Sequence, residues 1–311
     1  MKFRRLGRTD LQVSAISLGT VEIGMDYGIS TAGDVSRPTE ANASILLNQA
    51  LDWGINFIDT ARVYGESEYI IGRALRSRRK EYLISSKIDS STHNGVDGRL
   101  LRDGIDRSVK ESLRALQTDF IDIMYIHDTS MDVICRGEVI DVLKGLQKSG
   151  YLRFVGASIS YEEEALAVID DGRYDCIQIA YNLLDRSSEQ RVLPAARKND
   201  IGVVARSVLL KGVLSDRYKF LPAELRELKY SVERICGLVG VSPENLPEIA
   251  YRFTLGHPGV TTALVGTGRL FELEAAINYS NADPLTNETI GLLSRIEIKN
   301  RDLLSPWKWP I

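Results

Sequence analysis

The chain has 311 residues, 44% hydrophobic and 26% charged, with a net charge of −3, which excludes a disordered polymer and fits a globular protein with a large core. That length suits one barrel or two medium domains. No long block of like charge is present, so electrostatics gives no reason to expect nucleic acid or an anionic membrane as partner.

The N-terminal "MKFRRLGRTD" has no apolar segment of the signal-peptide kind, and no stretch approaches the ~20 residues of a membrane span. Cytoplasm is the expected location. Short runs rich in β-branched and aliphatic residues then recur as candidate strands: "AISLG" (15–19), "NFID" (56–59), "YLISSK" (82–87), "FIDIMYI" (120–126), "RFVGA" (153–157), "CIQIAY" (176–181), "GVVAR" (202–206) and "TALVG" (262–266). The segments between them carry helical spacing, plainest at Leu101, Ile105, Val109, Leu113 and Leu116, which form one apolar stripe. Strands without strict alternation, each followed by a helix, indicate a parallel sheet buried on both faces. Eight such units predict an α/β fold closed into a (β/α)8 TIM barrel, with long βα loops at its C-terminal face. The rival, a doubly wound sheet, calls for a G-x-G-x-x-G turn after the first strand, and none is there.

No linker or composition shift divides the chain, so residues 1–311 are expected to form a single barrel domain. The basic cluster "RSRRK" (76–80) reads as a solvated helix end. Three longer segments read as irregular: 21–38, the stretch from Ser207 to about Val241, and the tail "RDLLSPWKWPI". In the tail, packing of Trp307 and Trp309 on the barrel wall and lining of a substrate pocket are both open. Cys135, Cys176 and Cys236 are odd in number and lack CxxC spacing, which predicts three reduced structural thiols and no zinc site.

The C-terminal ends of the predicted strands carry chemistry. Asp59 ends the second with Tyr64 in its loop, Lys87 ends the third, His127 follows the fourth and Ser158 the fifth. Each alone has a bland explanation, as turn cap, solvated amine or core histidine. On consecutive strands at one rim of a barrel, they converge where active sites are built. A phenol of ordinary pKa, about 10, is a sluggish acid or base near neutrality, and an adjacent ammonium stabilises its phenolate. Lys87 would supply that charge, Asp59 its counter-ion, and His127 a hydrogen bond to a substrate oxygen. Such a group delivers a proton to a carbonyl oxygen or takes one from an alcohol, and lacks only a hydride source.

"DTARVYGESE", "SSK" with Lys87, "YIH" with His127, "VGAS" (155–158), "IQIAYN" (177–182) and "RRLGRTDLQVSAISLGT" resemble the aldo-keto reductases, in order from about residue 3 to about 280. The resemblance implies a (β/α)8 barrel that binds an extended nicotinamide cofactor. It also implies a catalytic tetrad of Asp59, Tyr64, Lys87 and His127, with Tyr64 as general acid/base. Ser158 and Gln178 match positions that bind the carboxamide, while Ile159 stands where an Asn is usual. Arg206 occupies the place of a ring-stacking aromatic, and a guanidinium plane also stacks. Gly19, Thr20 and Asp59 are implied as cofactor-binding, and Ser207, Leu209, Gly212 and Leu214 as the loop over its pyrophosphate. "VGTGRLFELEAA" (265–276), with Gly266, Thr267, Gly268, Arg269 and Glu272, matches the phosphate-binding turn and helix. Family habit favours NADP(H), whereas Glu272 would repel a 2′-phosphate and suit NAD(H). The balance leans to NADP(H).

The expected activity is therefore NAD(P)-dependent interconversion of a carbonyl, in an aldehyde, ketone or sugar, with its alcohol; the expected partner is a small-molecule substrate. The alternative is a cofactor-sensing regulatory subunit built on the same barrel. A metal-dependent hydrolase lacks clustered ligands, since His93, His127 and His257 are the only histidines.

Overall fold

The computed structural model describes residues 1–29 and 37–310. Two short antiparallel strands, β1 (Phe3–Arg5) and β2 (Gln12–Ser14), come first. They precede eight parallel strands: β3 (Ile16–Gly19), β4 (Phe57–Asp59), β5 (Leu83–Ile88), β6 (Ile121–Ile126), β7 (Leu152–Ile159), β8 (Cys176–Ala180), β9 (Gly202–Arg206) and β10 (Thr262–Gly266). The eight close into a barrel in the order β10-β3-β4-β5-β6-β7-β8-β9, with β9 pairing β10. Every predicted strand is present with small shifts at its ends; the hairpin β1–β2 was not expected.

That hairpin has a mechanical role. It places Leu6, Leu11 and Val13 against the inward-facing Phe57, Ile123, Tyr125, Cys176 and Val204, plugging the N-terminal end of the barrel. Because strand residues alternate in direction, the next inward positions toward the C-terminal end are Asp59, Lys87, His127, Gln178 and Arg206. The apolar floor thus dictates which residues face the mouth. Adjacent strands hold those positions level, with Asp59 opposite Ser85, Lys87 opposite Tyr125, and Ser158 opposite Gln178.

Helices cover the outer face. The predicted stripe lies on Gly98–Leu116, with Leu101, Ile105, Val109, Leu113 and Leu116 all buried. Two expectations are corrected here. The stretch from Ser207 to Val241 is not irregular throughout: short 3-10 turns lead into a helix, Arg226–Val239, that buries Leu228, Val232 and Ile235. Nor is "RSRRK" merely solvated, because Arg79 pairs at 2.8 Å with the buried Asp122 and lies over the Tyr82 and Phe120 rings. Within 21–38, a short helix spans Val21–Gly24; the part from 30 to 36 lies outside the described residues. All three cysteines are free, Cys176 in the barrel interior and Cys135 on the surface.

Candidate active site

The centre of the mouth is a buried ion pair. Lys87 Nζ donates to Asp59 Oδ2 at 2.7 Å and to the Thr60 carbonyl at 2.9 Å, and both side chains are buried. The other carboxylate oxygen, Asp59 Oδ1, accepts from Ser85 Oγ at 2.8 Å and Gln178 Nε2 at 2.9 Å. Burial works against the ammonium, but Asp59 and then Tyr64 outweigh it and hold its pKa above the usual lysine value. Lys87 therefore stays charged in a dry setting, with its Nζ 4.8 Å from the centre of the Tyr64 ring.

Tyr64 and His127 face each other across the cavity, ring centres 6.4 Å apart and planes at 86°. Burial, reinforced by the charges of Lys87 and Arg206, pushes the His127 imidazole down to about 4. It is neutral at physiological pH and keeps one N–H to donate. The turn carrying it is pinned by Thr129, whose N–H bonds the Ser158 carbonyl at 3.1 Å and whose hydroxyl bonds the Ile126 carbonyl at 2.9 Å.

Tyr64 sits in a loop fixed just as firmly. A buried hydroxyl chain runs from Thr20 through Ser67 to Thr60, at 2.7 and 2.9 Å. It ties the start of the helix Ser67–Leu75 to the end of β3. Gly65 follows with φ +55°, and a Cβ there would stand 2.4 Å from the Gly24 carbonyl oxygen. The two backbones meet so closely that no larger residue fits, which fixes where the phenol points.

The site opens into a cavity of about 830 Å³ that Asp59, Tyr64 and His127 line, roomy for a drug-sized or dinucleotide ligand. Gly19, Thr20, Ser158, Gln178, Arg206, Ser207, Leu209, Gly212, Gly266, Thr267 and Glu272 face it as well. Lys87 lies behind Asp59, while Leu214 is buried beneath the loop, and neither Gly268 nor Arg269 is on the wall. Arg206 donates to the Ile159 carbonyl at 3.1 Å and to Ser160 Oγ at 3.3 Å, which sets its guanidinium across the opening. Asn182 holds the Ser207 carbonyl at 2.9 Å, and Ser207, Leu210 and Lys211 all adopt positive φ. Non-glycine residues so placed mark a loop whose shape the surrounding structure imposes.

Sequence reasoning missed several groups. Ser85 stands in the quoted "SSK", two residues before Lys87 and so on its face of the strand, a signal available from alternation alone. Glu22, Tyr161 and Glu164 also line the cavity, and nothing in their local sequence announces it. In the tail, Trp307 lines the cavity rim at 56% exposure while Trp309 packs away at 7%; the two tryptophans divide the two readings between them.

Comparison with known proteins agrees with this geometry. The model of the Aldo/keto reductase family matches residues 15–298. The uncharacterized oxidoreductase YqkF of Bacillus subtilis is 28% identical over 308 residues, covering 94% of this chain and 95% of that protein. Pyridoxal 4-dehydrogenase of Microbacterium luteolum and L-galactose dehydrogenase of Arabidopsis thaliana are each 28% identical as well, over 85% and 100% of this chain and 88% and 97% of their own lengths. Among solved structures, the holo form of aldo-keto reductase AKR11C1 from Bacillus halodurans superposes with a TM-score of 0.79 at 27% identity, covering 95% of this chain and 96% of that one. A matching barrel, a family model spanning nearly the whole chain and full-length relatives lead to one conclusion: the chain belongs to the aldo/keto reductase family.

Proposed function

We propose that the protein is an NAD(P)-dependent oxidoreductase that interconverts a carbonyl and its alcohol, with Tyr64 as general acid/base. The observation that carries the reading is the buried Lys87–Asp59 pair at 2.7 Å, with the ammonium against the Tyr64 ring and His127 facing it. As a substrate carbonyl gains electron density, Tyr64 gives its proton to the oxygen, and Lys87 stabilises the negative charge left on the phenol oxygen. Asp59 keeps Lys87 charged and aimed. The neutral His127 donates to the same substrate oxygen and sets its approach. In the reverse direction Tyr64 takes the alcohol proton.

The hydride comes from a nicotinamide cofactor when one is bound. The cavity suits such a group: Gln178 is bonded to Asp59 and stands opposite Ser158, Arg206 presents a plane, and the Gly266–Arg269 turn opens a helix whose amides favour phosphate. Glu272 sits between Arg217 and Arg269, 3.3 Å from each, and accepts from the Thr267 hydroxyl. The cations suit a 2′-phosphate and the carboxylate a free 2′-hydroxyl; the lean to NADP(H) requires the cations to prevail. The substrate class, aldehydes, ketones or sugars, is supported by relatives named as pyridoxal 4-dehydrogenase, L-galactose dehydrogenase and D-threo-aldose 1-dehydrogenase. Initial rates of NADPH and NADH oxidation with a reactive aldehyde, and of the reverse reaction with an aldose, test the reading. Consumption of either dinucleotide supports it. Tight binding of a dinucleotide without turnover of any substrate would favour a sensor role instead.

A further inference from the structure

Four residues after Tyr64, in the first turn of the helix Ser67–Leu75, stands a carboxylate that the proposed reaction does not use. Glu68 is 2% exposed, and both of its oxygens are bonded. Oε2 accepts from Arg62 Nη1 at 2.8 Å, and Oε1 from Ser86 Oγ at 2.6 Å. Arg62 belongs to the same loop as Tyr64 and reaches on to Glu111 of the helix Gly98–Leu116 at 3.3 Å. Ser86 is the neighbour of Lys87 on β5. Because successive strand residues point to opposite faces, Lys87 projects into the barrel and Ser86 out of it, to Glu68.

These contacts enclose Tyr64. The Arg62–Glu68 bond closes residues 62–68 on themselves, and the Glu68–Ser86 bond fastens that closed segment to the strand carrying the ammonium. The hydroxyl chain through Ser67 holds the same loop to the end of β3; Glu68 holds it to β5. Stability alone does not call for the arrangement, since a buried charge pair seldom outperforms apolar side chains of the same size. None of Arg62, Glu68 and Ser86 is among the described residues that line the cavity, so the carboxylate meets neither substrate nor cofactor.

We propose that Glu68 is a positioning residue for the proton transfer: by joining the Tyr64 loop to β5, it sets the phenol ring against the Lys87 ammonium, 4.8 Å from the ring centre. The inference rests on the reading of Tyr64 as general acid/base. Loosening either bond frees the loop to shift away from β5, and a displacement of about 1 Å at a reacting group costs up to about a hundredfold in rate. The turn proposed to hold the dinucleotide's phosphates lies on another element, after β10, so dinucleotide affinity is expected to stay.

The test is a double-mutant cycle on the rate of carbonyl reduction, with the dissociation constants of NADPH and NADH measured beside it. Glu68→Gln keeps the side chain's volume but has one oxygen for two donors, and Arg62→Met removes the outer partner alone. Each is made in wild type and in Tyr64→Phe, and rates are taken with a reactive aldehyde in single turnover, so that slow variants stay measurable. In wild type each is expected to lower the rate about tenfold, with dinucleotide affinity within about twofold. In Tyr64→Phe, where no phenol proton is left to aim, each is expected to cost less than about twofold. A purely structural role gives the same fold loss in both backgrounds, which overturns the inference and leaves the role of Tyr64 intact. An unchanged rate in wild type, or a loss of dinucleotide affinity as large as the loss of rate, overturns it as well. Should Glu68→Gln fail to fold, Arg62→Met, at a side chain 22% exposed, decides alone. If wild type consumes neither dinucleotide, or Tyr64→Phe matches it in rate, the acid/base reading falls and the inference with it.

Discussion

At the scale of single residues, the centre of the account is a charged pair that stability alone does not require. A buried ion pair seldom outperforms apolar residues of the same size, yet removing one partner leaves an uncompensated charge. Asp59→Ala strands the Lys87 ammonium, together with Ser85 and Gln178, in a dry pocket. Denaturant melts are expected to show a loss of about 3–5 kcal/mol. The double variant Asp59→Leu/Lys87→Met is expected to recover most of that loss and no activity. A stable Asp59→Ala protein, or an active double variant, would deny the pair its proposed role. That Asp59, Tyr64, Lys87 and His127 converge was legible in the sequence because they sit at or just after strand ends, where the topology alone brings them to one rim. Glu22 was not: the residues that share its stretch of cavity wall lie at 217, 266 and 272, beyond the reach of any local pattern.

At the scale of elements, the loop holding Tyr64 depends on the close approach of Gly24 and Gly65. Gly65→Ala places a methyl 2.4 Å from the Gly24 carbonyl oxygen at φ +55°. Gly95 is a natural control, with φ +68° and no atom near its would-be Cβ; both substitutions share the left-handed strain of ~1–2 kcal/mol, and only the first adds a clash. We expect Gly65→Ala to lower kcat at least tenfold with dinucleotide binding retained, and Gly95→Ala to leave kcat near wild type. Equal effects on kcat would show that the contact does not aim the phenol.

The elements were unequally legible for related reasons. Barrel strands announce themselves because burial on both faces makes them continuously apolar. The hairpin β1–β2 is three residues a side with exposed Phe3 and Arg5 and a polar turn, too short for its alternation to register. The helix Arg226–Val239 does carry the spacing of a buried stripe at Leu228, Val232 and Ile235. The 3-10 turns and Pro222 before it disguise where that pattern starts.

For the whole molecule, the two ends of the barrel divide the labour. The N-terminal end is closed by an apolar plug and by Arg5 bonded to Asp200 at 2.6 Å, which supports stability. The C-terminal end holds the Lys87–Asp59 pair, the positive-φ loop and the cavity, where the proposed chemistry would take place. Among the described residues no helix is long and apolar enough to cross a membrane.

The most direct test of the account is kcat for carbonyl reduction by Tyr64→Phe, measured with the preferred dinucleotide at saturation and beside its dissociation constant. The phenylalanine keeps the ring against Lys87 and removes only the hydroxyl that would carry the proton. The account predicts a fall in kcat of about a hundredfold or more with dinucleotide binding unchanged. Turnover preserved in Tyr64→Phe would contradict it.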